Sequence, residues 1–228
     1  VVMTMLCRDE DVNLKANLLN WVRVVDYFVF VVDKRTIDES VKTIESILGR
    51  SSKKYKVVWN DFTGFGAART LSLETAWNSF PNASHVLIAD PDWLFDLRTI
   101  DKTVLGAHSN ADVFRFTIYD AEREGRSHTR KMDWLLKNKP GLSMKYNLHE
   151  VLSIGEYSAV HIPWEVREVA KEGTWHSTVG HGDSASGERY KFDLDLLYKD
   201  LAQYNHDPHV HYYLGTTHQS YATKAQHS

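Results

Sequence analysis

The sequence is poor in the features that assign a chain to a class at once. Cys7 is the one cysteine among 228 residues, so no internal disulfide can form, and we expect a reducing, cytoplasmic location. No apolar run reaches membrane-spanning length and no signal peptide is visible, so no membrane span is expected. The 27 Lys and Arg do not exceed the 30 Asp and Glu, which argues against a nucleic-acid partner.

The composition is that of an ordinary globular protein. Hydrophobic residues make up 43% and charged residues 25%, and the length suits one large α/β domain or two small ones. The chain begins at Val1 within a strand-like apolar run, so we expect it to be part of a longer polypeptide. Further apolar runs predict strands at residues 27–32, 55–59 and 85–89 in addition to 1–6.

Helical patterns separate these strands. Acidic residues at 9–11 indicate the first turn of one helix, and Thr36 with Glu39 forms a potential capping box for the next. A third helix is predicted from Ala67, with Arg69 in its first turn. Because strands and helices alternate as far as residue 92, we expect a mainly parallel sheet with helices on its faces.

The second half of the chain is less regular. Alternation predicts a strand at 112–119, and shorter extended segments are expected around 130–136, 142–148 and 160–162. Loops are predicted at 120–130 and 181–187, a short helix at 99–107, and two further helices at 188–203 and from 207 onwards. We therefore divide the chain into a domain at 1–185 and C-terminal helices at 186–228, which either belong to it or begin a helical extension.

The tripeptide Asp90-Pro91-Asp92 follows the predicted strand 85–89 directly. Two closely spaced carboxylates repel each other unless a cation lies between them, and oxygen ligands suit Mg²⁺ or Mn²⁺. An Asp-Pro-Asp turn that binds nothing explains the same residues. However, Cys7-Arg8, Asp33 and residues 60–64 also follow strands, and ligands of parallel sheets lie at the carboxyl edge. This convergence favours a functional site.

Other residues could add to such a site, each with an ordinary alternative. The Gly64–Gly66 loop before Arg69 is neither a Walker A nor a Rossmann sequence; it could bind an anion or simply supply turns. Asp33 could contact a nucleotide or merely precede a helix. Glu150, next to His149, could be a general base or half of a surface pair.

Histidines are the remaining candidate ligands. His176 and His181 flank a glycine-rich loop, and an imidazole there could complete the coordination of manganese. His206, His209 and His211 are spaced too loosely for a zinc site, and solvated side chains explain them better.

Several segments together resemble family 2 glycosyltransferases of the GT-A fold. They are Met3-Thr4-Met5-Leu6-Cys7-Arg8-Asp9-Glu10, Val31-Val32-Asp33 with Asp38, Gly66-Ala67-Ala68-Arg69 and Ala89-Asp90-Pro91-Asp92. Leu148-His149-Glu150-Val151-Leu152 and Glu188-Arg189-Tyr190 are similar to the branch of lipopolysaccharide core β-glucosyltransferases. The resemblance implies a GT-A-type, Rossmann-like mixed sheet with a helical C-terminal tail.

The resemblance also implies roles. Asp33 would contact the nucleoside of a nucleotide-sugar donor such as a UDP-hexose, with Cys7 and Arg8 beside it, and Arg69 would lie near the diphosphate or base. Asp90 and Asp92 would hold Mn²⁺ or Mg²⁺, with His176 near the metal or the phosphates. Glu150, with His149 beside it, would deprotonate the hydroxyl of a carbohydrate acceptor, and the anomeric carbon would invert.

Two departures from the family remain. The Gln-x-x-Arg-Trp motif of processive members is absent, which implies transfer of a single sugar. Residues 120–145, which should shape the acceptor pocket, match poorly; Asp133 in this region is a reserve candidate for the base. Trp93, Trp134 and Trp164 could stack on sugar rings or belong to the core.

Two other functions fit parts of this pattern. A sugar-phosphate nucleotidylyltransferase would have a similar architecture, but it would carry a glycine- and lysine/arginine-rich loop where this chain has Cys7-Arg8-Asp9-Glu10. A catalytically inactive carbohydrate-binding module is the third candidate, against which the presence of Asp90, Asp92 and Glu150 together argues.

Overall fold

A computed structural model describes residues 1–120, 128–169, 171–172, 174 and 187–226. An eight-stranded mixed sheet forms its centre, and a two-stranded sheet (β8 and β9) lies apart from it. The strands are β1 (Val2–Cys7), β2 (Tyr27–Asp33), β3 (Lys54–Asn60), β4 (His85–Ala89), β5 (Trp93–Phe95), β6 (Val113–Tyr119), β7 (Thr129–Lys137), β8 (Met144–Lys145), β9 (Val151–Leu152) and β10 (Ala159–Glu168).

The strand order of the large sheet is β3-β2-β1-β4-β7-β6-β10-β5. Strands β1 to β4 are parallel, β10 is parallel to β6, and only β7 and β5 run against their neighbours. The mainly parallel α/β sheet expected from the sequence is therefore confirmed. Its parallel half brings the carboxyl ends of β1 to β4 to one edge.

Helices cover both faces of this sheet. They are α1 (Asp11–Trp21), α2 (Ser40–Leu48), α3 (Phe65–Ser79), α4 (Thr103–Ala107), α5 (Gly187–Gln203) and α6 (Pro208–Gln226). Leu14, Leu18 and Ile44 of α1 and α2 belong to one buried cluster, whereas Leu73 and Ala76 of α3 belong to a second cluster on the other face. Among the described helices, none is long and apolar enough to cross a bilayer.

The C-terminal helix pair packs beside the carboxyl edge of the sheet. Leu196 and Leu197 of α5 form a buried cluster with Leu148, against which Phe62 and Phe65 also pack. The expected helical tail is thus present and in contact with the rest of the chain. The division at residue 185 into domain and extension stays a prediction.

Some local expectations were wrong. Thr36 and Glu39 form no capping box, because α2 begins at Ser40 and Glu39 makes no side-chain cap bond. Asp38 accepts the backbone N–H of Ser40 at 2.9 Å instead. Strand β10 is much longer than the segment 160–162 expected for it, and the segment 142–148 has only the two strand residues of β8. The predicted loops at 120–130 and 181–187 lie largely outside the described residues.

The start of α3 is covered by the segment that follows β8. The backbone N–H of Phe65 donates to the carbonyl oxygen of Asn147 at 2.8 Å, and that of Gly66 donates to Tyr146 at 3.0 Å. A Cβ atom on Gly66 would overlap the carbonyl oxygen of Tyr146, and one on Gly64 would overlap the side chain of Asn147. Both glycines therefore permit a close approach between two chain segments.

This close approach generates a stability prediction. Gly66→Ala should destabilise the protein by about 1–3 kcal/mol, because the backbone at Tyr146 must shift to admit the methyl group. Gly106→Ala in α4 is the matched control, since its Cβ would meet nothing within 4 Å, and we expect it to be neutral or slightly stabilising. Urea denaturation of both variants measures the difference; equal stabilities would show that the segment is not held tightly.

Candidate functional site

A pocket opens where β1 to β4 end. It is lined by Leu6, Cys7, Arg8, Glu10, Val31, Asp33, Arg35, Asn60, Phe62, Phe65, Ala68, Arg69, Asp90, Pro91 and Phe192. The lining includes residues from all four strand ends, so the polar groups expected to converge at this edge do so. Asp92 and Glu150 are not lining residues, although both are linked to the pocket through their neighbours.

Arg69 links two of the candidate carboxylates. It is the fifth residue of α3, not a first-turn residue as expected, and its side chain is 4% exposed. The guanidinium forms ion pairs with Asp90 and, at 3.3 Å, with Glu150, and it donates to the carbonyl oxygen of Ala89 at 3.1 Å. Burial alone would lower the pKa of Arg69, but Asp90 and Glu150 raise it above its ordinary value. Arg69 is thus a fixed cation between these two acids.

The buried acids Asp92 and Glu10 lie close enough to Asp90 to interact with its charge. Burial raises the pKa of Glu10 to about 8, with further contributions from Asp92 and Asp90. Burial and the charge of Asp90 likewise raise the pKa of Asp92. Both carboxyls therefore favour their neutral forms near pH 7, and a cation beside them would favour the charged forms.

Glu10 is the functional candidate that sequence reasoning missed. It was assigned to the acidic first turn of α1, but it precedes the helix and is only 3% exposed. Asn13 donates to its carboxyl group at 2.7 Å, and Ser40 accepts its backbone N–H at 2.9 Å. The signal was its place in the loop after β1, since the other candidates of this edge also follow strand ends.

Polar side chains of α1 fix the segment that contains Asp92. Asn17 donates to the carbonyl oxygen of Pro91 at 3.0 Å and Trp21 donates to that of Trp93 at 2.7 Å. Asn20 exchanges two bonds of 3.0 Å with the backbone of Phe95. Because these bonds satisfy the carbonyl groups after Asp90, the Asp-Pro-Asp turn has a fixed position relative to α1.

Asp33 lies in the pocket wall but already has a cation beside it. Arg35 forms a two-pronged ion pair with its carboxylate, with distances of 2.5 and 3.0 Å. Burial acts to raise the pKa of Asp33, but the bonds from Arg35 hold it below its ordinary value. Burial raises the pKa of the Cys7 thiol well above its ordinary value, so Cys7 contributes to the wall as a neutral group.

The segment Tyr146–Glu150 is held in an unusual conformation. Tyr146 and His149 have φ angles of 70° and 52°, which are uncommon for residues with side chains. The His149 ring stacks on Tyr213 of α6, with centroids 3.8 Å apart, while Glu150 reaches Arg69. Partial desolvation lowers the pKa of His149 to about 4, so this ring is neutral at pH 7.

The remaining candidates have structural partners. Asp133 forms a two-pronged ion pair with Arg115 at 2.6 and 2.7 Å. Trp93 and Trp164 are fully buried core residues, and only Trp134, which packs against Arg69 with 4.9 Å from the guanidinium carbon to the ring centre, is partly accessible. His176 lies outside the described residues.

The expected anion site at the start of α3 is not open. The first two N–H groups of the helix donate to the carbonyl oxygens of residues 146 and 147, so they are not directed at the pocket. The alternative, that the glycines serve the local backbone, explains this loop better.

The carboxylates in the pocket wall and beside it suit a hard divalent cation. Asp90, Asp92 and Glu10 offer only carboxylate oxygens, the ligands that Mg²⁺ and Mn²⁺ prefer. No group of three His, Cys, Asp or Glu within the described ranges is close enough to hold a metal by itself. A cation here would therefore depend on one or two carboxylates and on oxygens from a ligand, as Mg²⁺ sites commonly do.

Comparisons with known proteins identify no family. No protein-family model matches the chain, and no curated protein matches it. Solved structures with similar folds include HddC from Yersinia pseudotuberculosis, with 11% identity, a TM-score of 0.45, and coverage of 78% of this chain and 96% of that one. Core-mannan synthase A from Aspergillus fumigatus, in a form with manganese and GDP, has 14% identity and a TM-score of 0.33, with coverage of 53% and 42%.

A third solved structure is mannose-1-phosphate geranyltransferase from Thermus thermophilus, with 12% identity and a TM-score of 0.34. It is matched over 60% of this chain and 50% of its own length, so the chain spans about half of this protein and less than half of core-mannan synthase A. At this level of similarity none of the three assigns an activity.

The raised pKa of Glu10 generates a pH prediction. The folded protein binds more protons than the unfolded chain between about pH 4.5 and about pH 8, so this contribution to stability is lost as the pH rises through that window. Glu10→Gln removes the titration, and its stability relative to the parent should rise by roughly 1–4 kcal/mol from pH 5 to pH 8.

The exposed Glu74 of α3 provides the control, because Glu74→Gln should show no such trend. Urea denaturation at several pH values, without divalent metal, measures both variants. A constant difference between Glu10→Gln and the parent would contradict the buried, proton-binding state of Glu10.

Proposed function

We propose that the protein is a metal-dependent, inverting glycosyltransferase that moves one sugar from a nucleotide-sugar donor, such as a UDP-hexose, to a carbohydrate hydroxyl. The observation that carries the proposal is the arrangement of Asp90 and Glu150 on either side of Arg69. In such a reaction, Asp90 would be the donor-side carboxylate and Glu150 the base, and both form ion pairs with Arg69. The sequence resemblance to family 2 glycosyltransferases supports the same reading.

The pocket offers the contacts that a nucleotide sugar needs. Asp33 and Asn60 provide acceptors for ribose hydroxyls or base N–H groups, and Phe62 and Phe65 provide an apolar wall. Arg8, in the same lining, provides positive charge. Asp90 and Asp92 would hold Mn²⁺ or Mg²⁺, which when bound supplies charge neutralisation for a leaving diphosphate.

Glu150 would carry the proton transfer. Its carboxylate takes the proton of the acceptor hydroxyl, the hydroxyl oxygen forms a bond to the anomeric carbon, and the bond from that carbon to the diphosphate oxygen breaks. Attack from the face opposite the nucleotide inverts the configuration. Arg69 holds the carboxylate of Glu150 in place, and Asp133 is a weaker candidate because Arg115 already binds it in two-pronged fashion.

A donor screen tests the proposal. The protein is incubated with Mn²⁺ and a panel of nucleotide sugars, and the release of nucleoside diphosphate is followed. We expect slow hydrolysis of one donor, lost in Asp92→Asn but kept in Asp61→Asn, an exposed acid at the same edge of the sheet. Pyrophosphate release from a nucleoside triphosphate and a sugar phosphate would instead indicate a nucleotidylyltransferase. Donor binding without any turnover would indicate an inactive carbohydrate-binding module.

The assignment of the base has its own test. Glu150→Gln should retain donor affinity within about threefold but reduce transfer by roughly 10²- to 10⁴-fold, because the amide cannot accept the proton. Glu156→Gln, at an exposed position of the next turn, is the control. Transfer rates and the dissociation constant of the donor are measured separately. Near-normal transfer in Glu150→Gln would overturn the assignment and bring Asp133 forward.

A further inference from the structure

Asp200 of α5 is a buried acid with an unusual set of partners. It is 1% exposed and lies in the last turn of its helix, where the helix dipole disfavours a negative charge. No Lys, Arg or His within the described ranges forms an ion pair with it. Its carboxylate accepts the backbone N–H and side-chain amide of Asn147 at 2.8 Å each, and the N–H of Leu148 at 3.3 Å.

The start of α6 and the residue before it make further bonds to the same short segment. Asp207, at the start of α6, binds Lys145 at 2.8 Å and the hydroxyl of Tyr146 at 2.6 Å. His209 stacks on the Tyr146 ring, with centroids 4.1 Å apart, and donates to the carbonyl oxygen of His149 at 3.0 Å. Asp200, Asp207 and His209 together make hydrogen bonds or ion pairs with each of residues 145–149.

The opposite side of this segment rests on α3. Carbonyl oxygens of Tyr146 and Asn147 accept the first N–H groups of that helix, across the gap that Gly64 and Gly66 leave. The segment therefore lies between α3 and α5 and is hydrogen-bonded to both. Tyr146 and His149, whose backbone is in the left-handed region, belong to it. Left-handed backbone of this kind persists only where the surroundings impose it.

We propose that Asp200 is a positioning residue for Glu150. By accepting the N–H groups of Asn147 and Leu148 it imposes the backbone turn that directs the Glu150 carboxylate to Arg69. Burial of a carboxylate that has no ion-pair partner among the described residues costs free energy, and the packing of two helices does not require it. Such a carboxylate is well suited to orient several N–H groups at once. This inference rests on the proposed function of Glu150 and makes the C-terminal helices part of the reaction site.

The test compares Asp200→Asn with Asp195→Asn, an exposed position of the same helix. Asparagine keeps the size of the side chain but turns one acceptor into a donor that faces the N–H groups. Hydrogen exchange of the Asn147 and Leu148 amides should accelerate at least 10-fold in Asp200→Asn, and not in the control. The kcat for transfer should fall about 10- to 100-fold, while the donor KM stays within about threefold.

The stoichiometry of UDP binding in the presence of Mn²⁺ counts the folded molecules, so a loss of kcat at full stoichiometry cannot come from unfolding. If Asp200→Asn does not fold, Asp200→Glu keeps the charge and moves the carboxylate by one methylene, and we expect a smaller defect of the same kind. Parental kcat and parental exchange in the folded variant would overturn the inference.

Failure of the proposed function gives a different result. If the parent protein turns over no donor, the transferase proposal fails, but the exchange measurement still decides whether Asp200 holds the segment. Unchanged exchange at Asn147 and Leu148 would refute the positioning role whatever the activity.

Discussion

The ion pairs of Arg69 with Asp90 and Glu150 are the interaction on which the candidate site depends. They join the end of β4, the second turn of α3 and the start of β9, three places far apart in the chain. Removal of the guanidinium would leave the largely buried Glu150 and the partly exposed Asp90 without their shared cation, and uncompensated charge in such surroundings is destabilising. The separation of the two acids is therefore set by one side chain that is itself anchored to the carbonyl oxygen of Ala89.

A second constraint comes from the C-terminal helices. The Asp200 and Asp207 contacts tie α5 and α6 to the segment before Glu150, and Phe192 of α5 also lines the pocket. In the sequence these helices read as a tail or an extension. In the structure Phe192 of α5 lines the pocket, and Asp200, Asp207 and His209 contact the segment before the candidate base.

The parts of this arrangement that local patterns encode were predictable. Strand β4 was predicted with its observed bounds, and β2 to within one residue, because apolar runs dominate there. Strand β5, with three residues, has no period to detect. The capping box failed because Asp38, rather than Thr36, supplies the bond at the start of α2.

Tertiary pairing explains the rest. Glu10 has the sequence appearance of a first-turn acid, and only its packing against Asn13 and Ser40 shows that it is buried. The Arg69–Glu150 ion pair and the hydrogen bonds that Asn147 donates to Asp200 connect segments whose spacing in the sequence carries no signal. The sequence left open whether the loop with Gly64 and Gly66 binds an anion or supplies turns; in the structure the missing side chains admit Asn147 and the backbone of Tyr146.

The central proposal is that Asp90 and Asp92 hold a divalent cation beside the buried carboxyl group of Glu10. Proton release on metal binding tests it most directly. Calorimetric titration of Mn²⁺ into the protein, repeated in buffers of different ionisation enthalpy, counts the protons released per ion. Since burial raises the pKa of Glu10 to about 8 and that of Asp92 in the same direction, binding at pH 7 should release protons, and release should vanish towards pH 9.5. Binding that releases no proton at pH 7, or that is unchanged in Asp92→Asn, would contradict this account.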